Sequence, residues 1–544
     1  MRERAGLAAL GGTGAQRKFD SFSMKAQTTH LPAEDGAFRA SKKTEKTQKG
    51  AALPTLGFLL LLFIAVQTAL PLGSALQIGA DEGFELSKAT LQLHGFKLYS
   101  DVWNDQPPLH TFMVTGILRN ITHSVLGPRL LTVAMAAVFL CGLFGMSNRC
   151  NGVAVAAIAT GFTILAPGFL ELSASCMLEI PCLAASYWAI AALFFFPATR
   201  MTSGIVCGSL FAVALLIKLV AAIIAPVIVF CIFILEWNGR SAKNRSRSSR
   251  QIVLSSCKTI GMVAISSAAV FTLVEYLIDG GAFIKNFHQT WESHFAGGKS
   301  FEYGSAGEHV FDWAIFLRHW DTTIPALIGI TSSVRTFRSS PLNAIPTVWL
   351  ALMVLVFAFH TPWWPYYYVH ISPPLCWLGA IGLTNVWRWA NQHGQKGLRP
   401  TFVAFACCAT LWAGSRGYLE VSHVRKLPTI SEALVLEDIR VFKDQVKFMF
   451  SDELVYSFYS DIPMPPKLAV LPLKRLWSGE MTNAKMATEL AGTRPGLLLL
   501  NNDSQERPFT DLVASEYQLI FEDQRFRLLV RRDLAQTNQK LLLQ

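Results

Sequence analysis

Residues 53–82 read LPTLGFLLLLFIAVQTALPLGSALQIGADE. About twenty apolar residues come first, enough for a helix to cross roughly 30 Å of hydrocarbon, and Asp81 and Glu82 follow them. Carboxylates at the edge of a membrane core are costly to desolvate, so they are usually either exposed or functional. This stretch therefore predicts a membrane helix that brings an acidic pair to the membrane surface.

The composition excludes a soluble globular chain and a disordered one. Of the 544 residues, 51% are hydrophobic and only 16% are charged, against roughly 25% in soluble domains. Mean hydropathy is +0.35 although both ends of the chain are polar. The net charge of +11 is interpreted as topology, because basic residues gather in cytoplasmic loops, and no nucleic-acid partner is expected. The 10 cysteines form no CxxC pair, so no metal site is assigned.

Eleven apolar segments are long enough to span the bilayer, and the sequence predicts about 11 transmembrane helices. Residues 108–127 are apolar on only part of their circumference and are predicted to lie flat on the membrane. Basic loops such as RSAKNRSRSSR (240–250) then all fall on the cytoplasmic side. The predicted spans are 53–75, 129–147, 151–168, 179–197, 203–218, 219–236, 253–275, 312–332, 342–360, 366–386 and 400–418.

The chain divides into three predicted regions. Residues 1–52 are polar and basic and are expected to form a disordered cytoplasmic tail. Residues 53–420 form an all-α polytopic membrane domain. Residues 421–544 have the composition of a small α/β domain, and with 11 spans this domain is extracytoplasmic. Its predicted strands are KLAVLP (467–472), GLLLLN (496–501) and YQLIF (517–521).

The predicted external loops carry a more specific pattern. After the acidic pair come HGFKLYSD (94–101) and QPPL (106–109), and Arg129 opens a later span. ELSASCMLEIP (171–181) is a second acidic motif, and PYYYVHISPPL (365–375) is rich in tyrosine. In this order and on one predicted side, the motifs resemble the GT-C membrane glycosyltransferases, in particular the branch of protein O-mannosyltransferases and lipid A aminoarabinose transferases.

The resemblance implies a sugar donor carried on a polyprenyl phosphate, and carboxylates that act on it. Asp81 would be the base that takes the proton of an acceptor hydroxyl. Glu82 would share this role, orient the acceptor or be solvated. Glu179 would hold the acceptor or the donor sugar, or help to bind a divalent cation. The alternative for Glu179 is an interfacial carboxylate that reaches outward from a helix end.

Other residues would handle the phosphate. Lys218 lies in the apolar run ALLIKLVA, where a lysine is costly unless it reaches a phosphate or snorkels to the interface. Tyr367 would donate a hydrogen bond to the same phosphate, and His370 stands where many relatives have proline. Asp105 and Gln106 replace the acidic and basic residues that relatives carry before the two prolines. The identity of the donor sugar therefore does not follow from the resemblance. The neighbouring Trp363, Trp364, Tyr366 and Tyr368 are predicted to form an interfacial aromatic belt.

The predicted function is an inverting glycosyltransferase that moves a monosaccharide from a polyprenyl-phosphate donor to a hydroxyl of a lipid, glycan or protein. The active site would face the periplasm from a bacterial inner membrane, with the donor tail in a groove near Lys218. The sequence does not determine whether the reaction needs a divalent metal ion. The alternatives are a transporter or flippase of lipid-linked sugars, and an inactive relative that only binds glycolipid or a partner. The absence of an inverted repeat and the clustering of acidic motifs at one face favour the enzyme.

Overall fold

The computed structural model describes residues 34–121, 124–196, 200–243, 248–287, 309–393, 397–430, 433–502 and 510–537. From Gly50 onward these residues belong to one unit. Most of the predicted tail, residues 1–33, lies outside the described residues. The boundary predicted at residue 52 falls inside a helix, because α1 runs from Glu34 to Thr68.

Helices occupy all eleven apolar segments that the sequence predicted to span the membrane. Within the described ranges, six helical stretches are long and apolar enough to cross a bilayer: Gly50–Thr68, Leu126–Asn151, Arg200–Ile217, Leu219–Asn238, Ser249–Asp279 and Pro341–Phe359. The chain is an integral membrane protein. The other predicted spans coincide with helices that are shorter or less apolar.

The first half of the chain contributes eleven helices among the described residues. In chain order they are α1 (Glu34–Thr68), α2 (Glu82–Leu93), α3 (Leu109–Asn120), α4 (Leu126–Asn151), α5 (Val153–Ile164), α6 (Phe169–Ala174), α7 (Glu179–Phe195), α8 (Arg200–Ile217), α9 (Ala225–Lys243), α10 (Ser249–Asp279) and α11 (Ala282–Lys285). At 12 residues, α3 measures about 18 Å, too short to cross the bilayer, which favours the flat placement.

Further helices follow in the second half. They are α12 (Ala314–Arg318), α13 (Trp320–Arg335), α14 (Ile345–Phe359), α15 (Tyr368–Gln392), α16 (Leu398–Arg425), α17 (Leu434–Val441), α18 (Leu454–Ser460), α19 (Leu473–Trp477), α20 (Asn483–Thr493), α21 (Thr510–Glu516) and α22 (Arg532–Thr537). The domain boundary predicted at residue 420 lies inside α16, so the chain passes from the membrane helices to the C-terminal region along one continuous helix.

The helices α8 and α9 form an antiparallel hairpin. Arg200, at the start of α8, forms an ion pair of 2.9 Å with Glu236 near the end of α9. Between the two helices lie Lys218 and a 3-10 turn, Leu219–Ile224. The tip of this hairpin therefore carries Lys218 out of both helices.

The C-terminal region contains a four-stranded sheet with the order β1-β2-β4-β3. The strands are β1 (Met449–Ser451), β2 (Leu497–Asn501), β3 (Tyr517–Glu522) and β4 (Phe526–Arg531). The pair β1–β2 is parallel and the others are antiparallel. Two of the three predicted strands are present. KLAVLP forms no strand; it begins in a 3-10 turn, because prolines at 465, 466 and 472 lack the backbone N–H that a strand needs.

The C-terminal region packs directly on the first loop. The Ile430 amide donates to the Ala75 carbonyl at 2.5 Å, and the Tyr459 hydroxyl donates to the Leu76 carbonyl at 3.4 Å. At Gly83 on α2 an added Cβ would lie 3.3 Å from the Leu454 Cβ, so the close approach of α2 to α18 favours glycine. The hydrophobic clusters accordingly mix residues of α2 and α3 with residues of the sheet.

Candidate active site

Asp81 stands at the start of α2, where an aspartate ordinarily caps the helix. Its side chain makes no capping hydrogen bond. The carboxylate instead lies against the turn that precedes α15, where the Tyr366 hydroxyl donates a hydrogen bond of 3.1 Å to Asp81 Oδ2. The Asp81 side chain therefore does not cap α2.

Glu179 and Lys218 form an ion pair in the same place. Glu179 is the first residue of α7 and is fully buried. Lys218 follows α8 with an extended backbone, φ −153° and ψ 130°, which ends the helix there. Its Nζ lies 5.6 Å from the ring centres of both Tyr366 and Tyr367, a cation–π distance. The ammonium group is therefore held among site residues, whereas snorkelling would carry it out to the interface.

The electrostatics of Asp81 follow from these neighbours. Burial raises the pKa of Asp81 above its ordinary value of 3.8, and the Glu179 carboxylate raises it further. The Lys218 ammonium, the hydrogen bond from Tyr366 and the Lys474 ammonium lower the pKa in that order. A carboxyl whose pKa is raised by burial, against the opposing effect of nearby cations, suits a general base.

Both adjacent tyrosines lie at the site, whereas the sequence predicted only Tyr367 there. Tyr366, predicted to lie in the aromatic belt, is the residue that contacts Asp81, and Tyr367 contributes its ring beside Lys218. His370 is buried on α15, with its ring 5.9 Å from that of Phe357. Both tyrosines belong to the PYYYV segment, and this pattern does not determine which ring points towards Asp81.

Glu82 points away from Asp81 into a buried ion pair with Arg129. Arg129 Nε lies 2.9 Å from Oε1 and Nη2 lies 2.8 Å from Oε2. The Ile78 amide donates to Oε2 at 2.6 Å, and the Cys176 amide donates to Oε1 at 2.9 Å. Each carboxylate oxygen thus accepts two hydrogen bonds, so both oxygens are fully used. Glu82 ties the first loop to the second acidic motif.

Asp105 lies in a second part of the site. It forms an ion pair with Lys474 of α19, and Gln106 Nε2 donates to Asp105 Oδ2 at 2.8 Å. Lys474 was not among the site residues predicted from the sequence. It lies in the segment LPLKR (471–475), directly after a predicted strand, and nothing in that pattern distinguishes it from an ordinary surface lysine.

Two buried polar atoms at the site have no hydrogen-bond partner among the described residues: Glu179 Oε2 and His370 Nε2. Such atoms are costly unless a ligand or water satisfies them. In the described part of the chain, no group of three or more His, Cys, Asp or Glu side chains is arranged to hold a metal ion. Glu179, the residue considered for a divalent cation, is paired with Lys218.

Two cavities adjoin the site. An almost wholly apolar groove of about 590 Å³ is lined by α8, α9 and α10 and reaches Leu219, next to Lys218. A cavity of about 340 Å³, with polar and apolar lining, adjoins Gly79 and Ala80 just before Asp81, and Glu453 and Arg525 of the C-terminal region also line it. The apolar groove thus reaches the chain neighbour of Lys218, and the second cavity reaches the chain neighbour of Asp81.

Around these residues the helices are arranged as in the solved structures of ArnT and of an archaeal oligosaccharyltransferase, and the fold that the resemblance implied is confirmed. One similar structure is ArnT from Cupriavidus metallidurans bound to undecaprenyl phosphate, with a TM-score of 0.56, 13% identity, and coverage of 87% of this chain and 97% of ArnT. Another is the archaeal oligosaccharyltransferase AglB from Archaeoglobus fulgidus, in complex with an inhibitory peptide and a dolichol-phosphate; the TM-score is 0.54, the identity 11%, and the coverage 84% of this chain and 70% of AglB. No family model and no curated protein matches the sequence.

Proposed function

We propose that this protein is an inverting glycosyltransferase that moves a monosaccharide from a polyprenyl phosphate to an acceptor hydroxyl. One observation carries the proposal. The Asp81 side chain does not cap its helix and lies in the same site as the Glu179–Lys218 ion pair. An apolar groove ends beside this site. The likeness to ArnT, bound to undecaprenyl phosphate, and to AglB, in complex with dolichol-phosphate, supports the donor class.

The residues divide the chemistry among them. The acceptor oxygen attacks the anomeric carbon, Asp81 takes the acceptor proton, and the bond from the anomeric carbon to the phosphate oxygen breaks with its electron pair on that oxygen. Lys218 stabilises the charge that develops on the leaving phosphate. The free Oε2 of Glu179 accepts a hydrogen bond from a sugar hydroxyl. Tyr366 holds the Asp81 carboxylate in place.

The same proposal assigns the membrane topology. Eleven helices cross the bilayer, the site and the C-terminal region lie on the extracytoplasmic side, and the basic loops lie in the cytoplasm. The donor tail lies in the groove between α8, α9 and α10, and the acceptor enters from the polar cavity beside Gly79. We place the protein in a bacterial inner membrane, with the site facing the periplasm. The acceptor is a lipid, a glycan or a protein.

The proposal is tested by transfer from polyprenyl-phosphate sugars extracted from membranes and radiolabelled in the sugar. Purified protein should release free polyprenyl phosphate and label an acceptor fraction. If it releases none, but moves the lipid-linked sugar across proteoliposomes, the flippase alternative replaces the enzyme. If it does neither and still binds the donor, the protein is a glycolipid-binding relative.

Lys218→Met should weaken transfer by about 10²-fold or more, because the leaving phosphate loses the positive charge that stabilises it. Steady-state transfer with the labelled donor measures the loss in kcat/KM. Lys258→Met, on the exposed face of α10, is the matched control and should behave as wild type. An equal loss in both variants would remove the assignment of Lys218.

Ala268→Trp should obstruct the groove, because Ala268 lines it on α10. KM should rise for a donor with a full-length polyprenyl tail and remain unchanged for a short-chain analogue. Val253→Trp on the same helix serves as control, since Val253 is exposed and lies outside the groove. Equal effects on the long and short donors would show that the tail lies elsewhere.

A further inference from the structure

The short helix α19 lies over the edge of the site, and three of its residues make charged or ring contacts with other segments. Lys474 pairs with Asp105. The Arg475 guanidinium carbon lies 5.0 Å from the ring centre of Trp103, at a cation–π distance. The Trp477 ring stacks on His309 at 5.3 Å and on Trp364 at 6.1 Å between ring centres. This helix joins the C-terminal region to both loops that carry site residues.

The charges of the site show why Lys474 matters. The Glu82–Arg129 and Glu85–Lys88 pairs are each neutral and buried. Among the described residues, the remaining ionisable groups of the site are the carboxyl groups of Asp81, Glu179 and Asp105 and the amines of Lys218 and Lys474. Burial lowers the pKa of Lys474 to about 7, so this amine carries its full positive charge on the acidic side of neutral pH. Without Lys474, three carboxylates would face one cation where an anionic phosphodiester has to bind. In a poorly hydrated site that imbalance opposes both donor binding and ionisation of the base.

We propose that Lys474 is a positioning residue of the active site, supplied by the C-terminal region. Its pair with Asp105 holds the segment before Pro107 in place and keeps its amine near enough to act on the charge of Asp81. This inference rests on the proposed transferase function. It gives the C-terminal region a direct part in the reaction, beyond covering the loops.

The chemical consequence concerns the base. Lys474 lowers the pKa of Asp81, so removing its charge raises that pKa and leaves less carboxylate at neutral pH. Removing the carboxylate of Asp105 acts in the opposite direction, because Lys474 then faces Asp81 without a competing anion. A general loosening of the fold would shift both variants the same way.

The experiment compares pH profiles of kcat/KM for wild type, Lys474→Met, Lys474→Arg and Asp105→Asn. In Lys474→Met the acidic limb should move to higher pH, with about tenfold lower kcat/KM on that limb for each pKa unit. Lys474→Arg should restore the profile in part, and in Asp105→Asn the limb should move to lower pH. Lys467→Met is the matched control, because Lys467 is exposed and pairs with Glu489 away from the site.

A second readout needs no turnover. Carbodiimide modifies the protonated carboxyl, and mass spectrometry of the Asp81 peptide follows this labelling against pH. In Lys474→Met the midpoint should shift to higher pH, with Asp81→Asn as the blank. A wild-type midpoint in Lys474→Met overturns the inference while leaving the transferase standing. A wild type that transfers no sugar removes the proposed function, and the labelling still decides whether Lys474 acts on Asp81.

Discussion

Asp81→Asn should reduce sugar transfer by about 10²- to 10⁴-fold, the range that a positioned general base contributes. The amide has the size of the carboxylate but cannot take the acceptor proton. The Tyr366 hydroxyl can still donate a hydrogen bond to the side-chain oxygen, so the local structure should persist. Donor affinity should therefore change little, and the loss should appear in kcat. Transfer of labelled sugar and a separate donor-binding measurement give the two quantities.

Asp101→Asn provides the matched control for this variant. Asp101 lies in the same loop and is exposed, and its Oδ2 accepts a hydrogen bond from the Lys97 amide. Its activity should equal that of wild type. If Asp81→Asn binds donor and transfers sugar at the wild-type rate, Asp81 is not the base and the division of roles proposed for the site is wrong.

Arg129→Met should lower the free energy of unfolding by about 3–5 kcal/mol, because it leaves the buried Glu82 carboxylate without its charge partner. The guanidinium also donates hydrogen bonds to the carbonyls of Leu72, Ser74 and Leu76. These bonds hold the segment between the first membrane helix and Asp81. We expect a large fall in melting temperature in detergent, together with lost transfer.

Two further variants separate charge from packing. Glu82→Gln combined with Arg129→Met should be less damaging than Arg129→Met alone, since no unpaired charge is then buried. Arg119→Met, on the exposed part of α3, should melt as wild type does. A double variant as unstable as the single one would show that the five hydrogen bonds of Arg129 matter more than its charge. That result would still not assign a catalytic role to Glu82.

The pair Asp81–Glu82 shows how far sequence reasoning reached at the site. The sequence predicted Asp81 as the base and left Glu82 to share that role, to orient the acceptor or to be solvated. The structure separates them, because the first turn of α2 directs one carboxylate to Tyr366 and the other to Arg129. The partners of these two adjacent acids lie 285 and 47 residues away along the chain, and no local pattern contains that information.

The membrane helices, the acidic loops and the strands at 497–501 and 517–522 could be predicted from the sequence, because hydropathy and side-chain periodicity are local properties of the chain. The Lys218 prediction also came from a local property, the cost of a charge in an apolar run. The hydrogen bond from Tyr366 to Asp81, the ion pair of Glu82 with Arg129 and the ion pair of Lys474 with Asp105 are seen only in the folded chain. These contacts join segments that are distant along the chain, and their free energies depend on burial and charge that exist only once the segments have packed together.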